Sequence, residues 1–197
     1  MGVILPNSVF FHIPKTGGTW VDASLEKAFP DSYIKMNLDF GFSADITGIH
    51  IPRSKVKLNK FSFAFVRHPL SWYKSYFRFK QLAGKKWTTY KDDGNKLSKD
   101  CAADGFGEFM DNVMEYFPEG YYHTVVRENE GVDYVGRQEY LYFDLCTALE
   151  MAEEEFDPAN FLRQHINVSN RAVITEYSKE HRDFVLDKEC YVIERYY

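Results

Sequence analysis

The order of predicted elements favours an α/β fold in which helices flank a central parallel sheet. Two apolar runs predict buried strands, one beginning at Val9 and one spanning Phe61–Val66. A turn and an amphipathic helical pattern follow each run, which is the order of elements that joins parallel strands. With 197 residues, the chain is long enough to bury a substantial core, and we expect one domain over residues 1–197.

Composition narrows the classes of partner. The net charge of −5 argues against a general polyanion-binding protein, so we expect no nucleic-acid partner and only a local anion site. The three cysteines are odd in number and match no metal-ligand spacing, which favours reduced thiols, a cytoplasmic protein and no metal. Because the chain lacks a signal-peptide pattern and a long apolar run, we expect a soluble protein without a membrane partner.

The stretch from His12 to Thr19 places a lysine and two adjacent glycines between a strand and a helix. Gly17 and Gly18 permit a sharp turn that brings backbone N–H groups against a ligand. We expect Thr19 to cap the helix, whose positive end faces the same spot, and Lys15 to add a mobile positive charge. The stretch predicts an anion-binding turn; the alternative is an ordinary strand-to-helix turn.

A second candidate site follows the strand Phe61–Val66. Arg67 stands directly after the strand, and ligands of open α/β sheets bind outside the carboxyl ends of their strands. Pro69 suits the first turn of a following helix, and Ser75 lies two turns into that helix. The alternative is an exposed arginine followed by an ordinary helical serine.

These two motifs resemble those of sulfotransferases that use 3′-phosphoadenosine 5′-phosphosulfate (PAPS), especially the glycan-type branch and its small bacterial relatives. The stretch His12–Thr19 is similar to their 5′-phosphosulfate loop, and Arg67 with Ser75 is similar to their 3′-phosphate site. Family members often carry Asn or Asp where this chain has His68. Two later segments are also similar, one around Arg137 and one containing Asn167 and Ser169. For Arg137, the alternative is an ordinary surface ion pair with a glutamate.

The resemblance implies a P-loop-like sulfotransferase core that moves the sulfuryl group of PAPS to a hydroxyl, with a small molecule or a carbohydrate as acceptor. It implies that Lys15 acts in catalysis at the leaving oxygen and that no metal takes part. The residues that it assigns to the donor are Lys15, Thr16, Gly17, Gly18, Thr19, Trp20, Arg67, Ser75, Arg137, Asn167 and Ser169.

We predict that His50 is the general base. A hydroxyl acceptor must lose its proton as sulfur is attacked, and the unperturbed pKa of histidine suits that task near neutral pH. Relatives also place a histidine between the two donor motifs. A structural role for His50, or a carboxylate base such as Asp45, is the alternative.

The remaining segments carry weaker patterns. Residues 80–105 contain two turn clusters and no sustained period, which is typical of a long exposed loop, either a lid or acceptor loop or a disordered insertion. Residues 30–48 are expected to be irregular. A helix is predicted over Phe106–Tyr116, residues 121–126 suit either a strand or a helix, and one amphipathic helix is predicted near the C-terminus.

Two other functions stay open. A small-molecule kinase would need a triphosphate loop, but here the lysine precedes the glycines, whereas G-x-x-x-x-G-K-[ST] places it after them. A catalytically silent nucleotide-binding module would keep the same loop. The sequence specifies neither the acceptor nor the oligomeric state.

Overall fold

The computed structural model describes residues 2–36, 53, 59–81, 96–163 and 173–197. Its contacts divide the chain into two compact units. The first unit comprises Met1–Arg67 with Arg127–Val168, and the second comprises His68–Val126 with Ser169–Tyr197. Within the described residues, no helix has the length and apolar character needed to cross a membrane.

The first unit contains a five-stranded sheet flanked by helices, which confirms the α/β class. The strands are β1 (Gly2–Ile4), β2 (Ser8–Phe11), β3 (Ile34–Met36), β4 (Phe61–Val66) and β5 (Tyr134–Arg137). Their order across the sheet is β3-β1-β2-β4-β5. The helices of this unit are α1 (Gly18–Ala28) and α6 (Leu141–Met151).

The sheet is mixed, so the prediction of a parallel sheet is correct only for β2, β4 and β5. β1 runs antiparallel to both β2 and β3. Its connection to β2 is a tight turn closed by a hydrogen bond from Leu5 N to Ser8 O, 2.8 Å long, which is too short for a parallel crossover. Residues 34–36 form β3, where the sequence predicted irregular structure.

The core of the first unit lies between the sheet and the two helices. β2 and β4 send alternate aromatic side chains, Phe10, Phe63 and Phe65, into it. α1 contributes Trp20, Val21 and Leu25, the next residue after it contributes Phe29, and α6 contributes Leu141, Leu145, Ala148 and Leu149. This packing fixes the start of each helix relative to the strands.

The second unit is helical and rich in aromatic residues. Its helices are α2 (Pro69–Lys80), α3 (Lys96–Asp100), α4 (Phe106–Tyr116), α5 (Tyr122–Arg127), α7 (Lys179–Lys188) and α8 (Cys190–Tyr196), with Arg127 at the division between units. Trp72 is buried and stacks on Tyr122 with ring centroids 4.5 Å apart. The predicted bounds of α4 are confirmed, and residues 122–127 are helical.

Two expectations for the second unit are wrong in part. Residues 96–100 form helix α3 instead of an exposed loop, with Leu97 and the following Cys101 fully buried and Tyr76 Oη 2.5 Å from Ser98 Oγ. Residues 82–95 lie outside the described residues, so a lid there stays a prediction. The single C-terminal helix is two helices, α7 and α8, which separate at Glu189.

Glu189 fills the start of α5 with a buried carboxylate. It accepts hydrogen bonds from the backbone N–H groups of Tyr122, at 2.8 Å, and His123, at 2.6 Å. Tyr121 N–H and the Tyr73 hydroxyl also donate to it, at 3.0 Å and 2.6 Å. A carboxylate with this many donors at a helix N-terminus satisfies groups that would otherwise be unpaired.

Candidate functional site

Three of the predicted donor-site elements, the turn after β2, Arg67 and Arg137, lie at one edge of the sheet in the first unit. β2, β4 and β5 are parallel, with Phe11 opposite Ala64 and Val66 opposite Arg137. Their carboxyl ends therefore lie along the same edge. The turn that begins at His12 follows β2, Arg67 follows β4, and Arg137 is the last residue of β5.

The turn between β2 and α1 is tightly constrained. The Thr16 hydroxyl is completely buried and donates to Ile13 O at 2.7 Å, which closes the turn from within. Lys15 adopts a left-handed backbone conformation with φ of 65°. Such a conformation costs a non-glycine residue of order 1 kcal/mol and is concentrated at ligand-binding sites. The Thr16 hydroxyl, which the resemblance assigns to the donor, thus supports the turn from within.

The two adjacent glycines are required for different reasons. Gly17 has φ of 89°, and a Cβ there would lie 2.8 Å from Leu141 Cδ2. Gly18 has no positive φ, but a Cβ on it would overlap the imidazole ring of His12. The first glycine provides a backbone conformation, and the second provides room for a neighbouring side chain.

Helix α1 begins without a cap from a side chain. Its N-cap is Gly17, it has no acidic residue in the first turn, and no side chain bonds to that cap. Gly17 O accepts from Trp20 N at 2.9 Å and from Val21 N at 3.3 Å. The prediction that Thr19 caps the helix is wrong, because Thr19 is the second residue inside it. The N–H groups of Gly18 and Thr19 precede the first N–H donor of the helix, that of Trp20, so helix geometry gives them no acceptor inside the helix.

Arg67 reaches the turn from β4. Its Nη1 atom lies 3.4 Å from Lys15 O, with the arginine half-buried. The structure thus brings together two motifs that are 52 residues apart in sequence. Ser75, predicted to share a phosphate with Arg67, is buried on α2 in the second unit.

Arg137 is held at the end of β5 by its backbone. Its N–H donates to Asp144 Oδ2 at 2.5 Å, and its guanidinium lies 4.7 Å from the ring centroid of Tyr140. Burial, together with the Asp144 carboxylate, raises the pKa of Tyr134, which begins the same strand. Arg137 is therefore positioned at the sheet edge, as predicted from the strand that precedes it.

The structure assigns Trp20 to the core. Its indole is 5% exposed and makes an edge contact with Phe161, with ring centroids 6.5 Å apart. Its backbone N–H already bonds to Gly17 O. His50, Asn167 and Ser169 lie outside the described residues, as does Asp45.

His68 takes the position at which the resembled family often carries Asn or Asp. It is the N-cap of α2, and its Nδ1 accepts from Leu70 N at 3.3 Å. A short polar side chain at this position would make the same bond. The departure from the family pattern therefore preserves the helix cap.

Three residues that touch the glycines were not predicted. His12 lies against Gly18, and Gln138 and Leu141 lie against Gly17. A glycine in the first turn of a helix is a weak sign that another group lies close to it. The contacts with residues 138 and 141 carry no local signal, because they depend on how α6 packs on the sheet.

Comparison of the chain with protein-family models, with curated proteins and with solved structures gives no match. The arrangement of residues at this sheet edge is therefore the basis for a functional proposal.

Proposed function

We propose that this protein is a PAPS-dependent sulfotransferase that moves the sulfuryl group to a hydroxyl of an acceptor. The observation that carries the proposal is the convergence of Arg67 on the glycine turn, with Nη1 3.4 Å from Lys15 O. The two motifs that resemble the donor site of this family are 52 residues apart in sequence. Their contact is therefore an observation that neither motif contains by itself.

The charges of this edge suit a dianionic or trianionic ligand. Lys15, Arg67 and Arg137 contribute three cations, although the whole chain carries a net charge of −5. The first turn of α1 adds its uncapped N–H groups and the positive end of the helix dipole. An anion at this position would receive hydrogen bonds from the backbone of Gly18 and Thr19 and charge from Lys15.

In the proposed reaction, the acceptor oxygen forms a bond to sulfur while the bond from sulfur to the 5′-phosphate oxygen breaks. Negative charge develops on the leaving oxygen, so a cation fixed beside it lowers the barrier. We assign that role to Lys15 and the binding of the 3′-phosphate to Arg67, while the part of Ser75, which belongs to the second unit, stays a sequence prediction. The acceptor proton passes to a base, for which His50 stays the sequence prediction.

The left-handed conformation of Lys15 supports a ligand-binding role for the turn. A lysine adopts φ of 65° at a cost, whereas an ordinary connection would place glycine or asparagine there. The kinase alternative lacks this support, because the lysine of a triphosphate loop follows the glycines and opens the helix. The silent binding module shares the whole arrangement and differs only in turnover.

The test is a turnover assay. The protein is incubated with PAPS and a panel of hydroxyl acceptors that includes mono- and disaccharides, and released adenosine 3′,5′-bisphosphate is measured. We expect acceptor-dependent release that Lys15→Ala reduces by ~100-fold or more, since the lost charge acts on the transition state. Binding of the bisphosphate without turnover on any acceptor would favour the silent module, and phosphoryl transfer from ATP would favour the kinase.

A further inference from the structure

We propose that His12 is a positioning residue that sets the place of Gly18, and with it the first N–H groups of α1 that receive the donor's 5′-phosphosulfate. This inference rests on the proposed function. His12 is 7% exposed and directly follows β2. Its side chain occupies the space that a side chain on residue 18 would need.

The His12 ring has a fixed position because it packs against Phe10, which is part of the core. Its ring stacks on Phe10 with centroids 5.9 Å apart and an angle of 21° between planes. Phe10 in turn contacts Phe63 and Phe65, with centroids 5.5 Å and 6.0 Å away. A continuous series of contacts therefore runs from the sheet core through His12 to Gly18.

The contact with Gly18 limits the approach of α1 to β2. A Cβ on residue 18 would overlap Cδ2, Nε2 and Cγ of His12, so the imidazole lies directly against the Gly18 backbone. On the other side of the turn, Leu141 and Gln138 confine Gly17. The turn is held between the end of β2 and the start of α6, and its N–H groups are pre-organised before any ligand arrives.

The position of these groups matters for binding because anion recognition by backbone N–H groups is sensitive to small displacements. A shift of about 1 Å at a positioned group is enough to cost ~100-fold in an enzyme site. Truncation of His12 would leave the start of α1 free to move toward β2. Addition of a methyl group at residue 18 would push it away.

A double-mutant cycle tests this contact. Affinity for adenosine 3′,5′-bisphosphate is measured by calorimetry for wild type, His12→Ala, Gly18→Ala and the double variant, at a temperature at which urea unfolding shows all four to be folded. We expect a loss of about 10-fold for His12→Ala and ~100-fold for Gly18→Ala. The double variant should bind no more weakly than His12→Ala, because the methyl then occupies the space that the ring leaves.

Val3→Ala is the matched control, since Val3 is fully buried in the same core on β1. It should lower the urea midpoint as His12→Ala does while leaving bisphosphate affinity unchanged, which separates positioning from general stability. Wild-type affinity in His12→Ala, or additive losses in the double variant, would overturn the positioning role alone. Failure of wild type to bind bisphosphate would overturn the proposed function together with it.

Discussion

Helices α1 and α5 begin in opposite electrostatic settings. At α5, the buried Glu189 carboxylate accepts the N–H groups of Tyr121, Tyr122 and His123, so the chain supplies its own anion. At α1, the start is formed by Gly17, with no side-chain cap and no acidic residue in the first turn. A helix start thus serves structure in the second unit, and we propose that the start of α1 receives an external anion in the first.

The two helix starts differ in what they contribute to the stability of the folded chain. The filled start of α5 gives stability to the folded chain directly, through hydrogen bonds to a charged acceptor. The start of α1 has no side-chain cap of this kind, and its turn also holds Lys15 at a positive φ of 65°. Removal of Glu189 should therefore affect folding, and changes at the α1 start should affect ligand binding.

The largest expected effect is on the free energy of unfolding, when Glu189 is removed from the start of α5. Glu189→Ala removes an acceptor of the Tyr73 hydroxyl and of three N–H groups, and only those of Tyr121 and Tyr122 keep a longer hydrogen bond, to the Tyr73 hydroxyl. It should therefore lower the free energy of unfolding by about 3–5 kcal/mol. Urea denaturation measures the loss. Glu194→Ala, an exposed glutamate on α8, is the control and should change stability by less than about 0.5 kcal/mol. Equal effects of the two substitutions would contradict the role of Glu189.

Arg67→Ala should have the next largest effect, on binding. Loss of a charge-assisted contact is expected to weaken adenosine 3′,5′-bisphosphate by about 2–3 kcal/mol, with Ser75→Ala costing less. Calorimetric titration measures both. Arg163→Ala, which removes an exposed arginine of the same unit, is the matched control and should bind as wild type. If Arg163→Ala lost as much affinity, the effect would be one of overall charge.

Tyr73→Phe removes only one of the hydrogen bonds to Glu189 at the start of α5, and its effect on stability should depend on pH. Loss of the hydroxyl should cost about 1 kcal/mol at neutral pH. Burial and the Glu189 carboxylate raise the pKa of Tyr73 well above its ordinary value of 10.0, so the folded state favours the neutral phenol. That contribution is complete below pH 10.0 and declines as the pH rises above it.

The measurement is the free energy of unfolding of wild type and Tyr73→Phe between pH 8 and pH 11. The difference between the two proteins should shrink at the alkaline end. Tyr33 and Tyr177 also have raised pKa values through burial, and they are common to both proteins, so their effects cancel in the difference. If the difference in the free energy of unfolding stayed constant across this range, the pKa of Tyr73 would not be raised in the folded state.

The smallest expected effect is the difference in stability between two substitutions of Lys15, which distinguishes the role of its backbone conformation from that of its charge. Lys15→Gly relieves the cost of φ at 65°, so it should be more stable than Lys15→Ala by about 0.5–1 kcal/mol. Both variants lack the ammonium and should lose turnover to the same extent. Thermal unfolding and the bisphosphate-release assay measure the two properties. Normal turnover in Lys15→Gly would show that the charge is not used.

Local patterns predicted the elements whose ends carry strong signals. The alternating aromatic residues gave the observed bounds of β4, Pro69 gave the observed start of α2, and α4 matched its apolar period. β1 and β3 were missed because each has three residues and gains its stability from neighbouring strands rather than from its own pattern. The break at Glu189 depends on a tertiary contact with α5, which no local pattern encodes.

In the candidate site, too, local sequence predicted some positions, whereas others depend on tertiary packing. The sequence placed Lys15, Arg67 and Arg137 at strand ends, and the register of β2, β4 and β5 brings those ends to one edge. Trp20 was assigned to the donor because it adjoins the motif, yet the helical period turns its side chain into the core. The contacts of His12 with Gly18 and of Leu141 with Gly17 arise only when the helices pack on the sheet.

The most direct measurement of the central claim is the effect of nucleotides on thermal unfolding, with adenosine 3′,5′-bisphosphate tested in the absence of added metal. The open start of α1 with Arg67 should bind adenosine 3′,5′-bisphosphate, which at a hundredfold excess over its dissociation constant stabilises the folded state by about 2.7 kcal/mol. ATP, with or without Mg²⁺, should stabilise it much less. Equal or stronger stabilisation by Mg-ATP, or none by the bisphosphate, would contradict the assignment of this edge to a phosphosulfate donor.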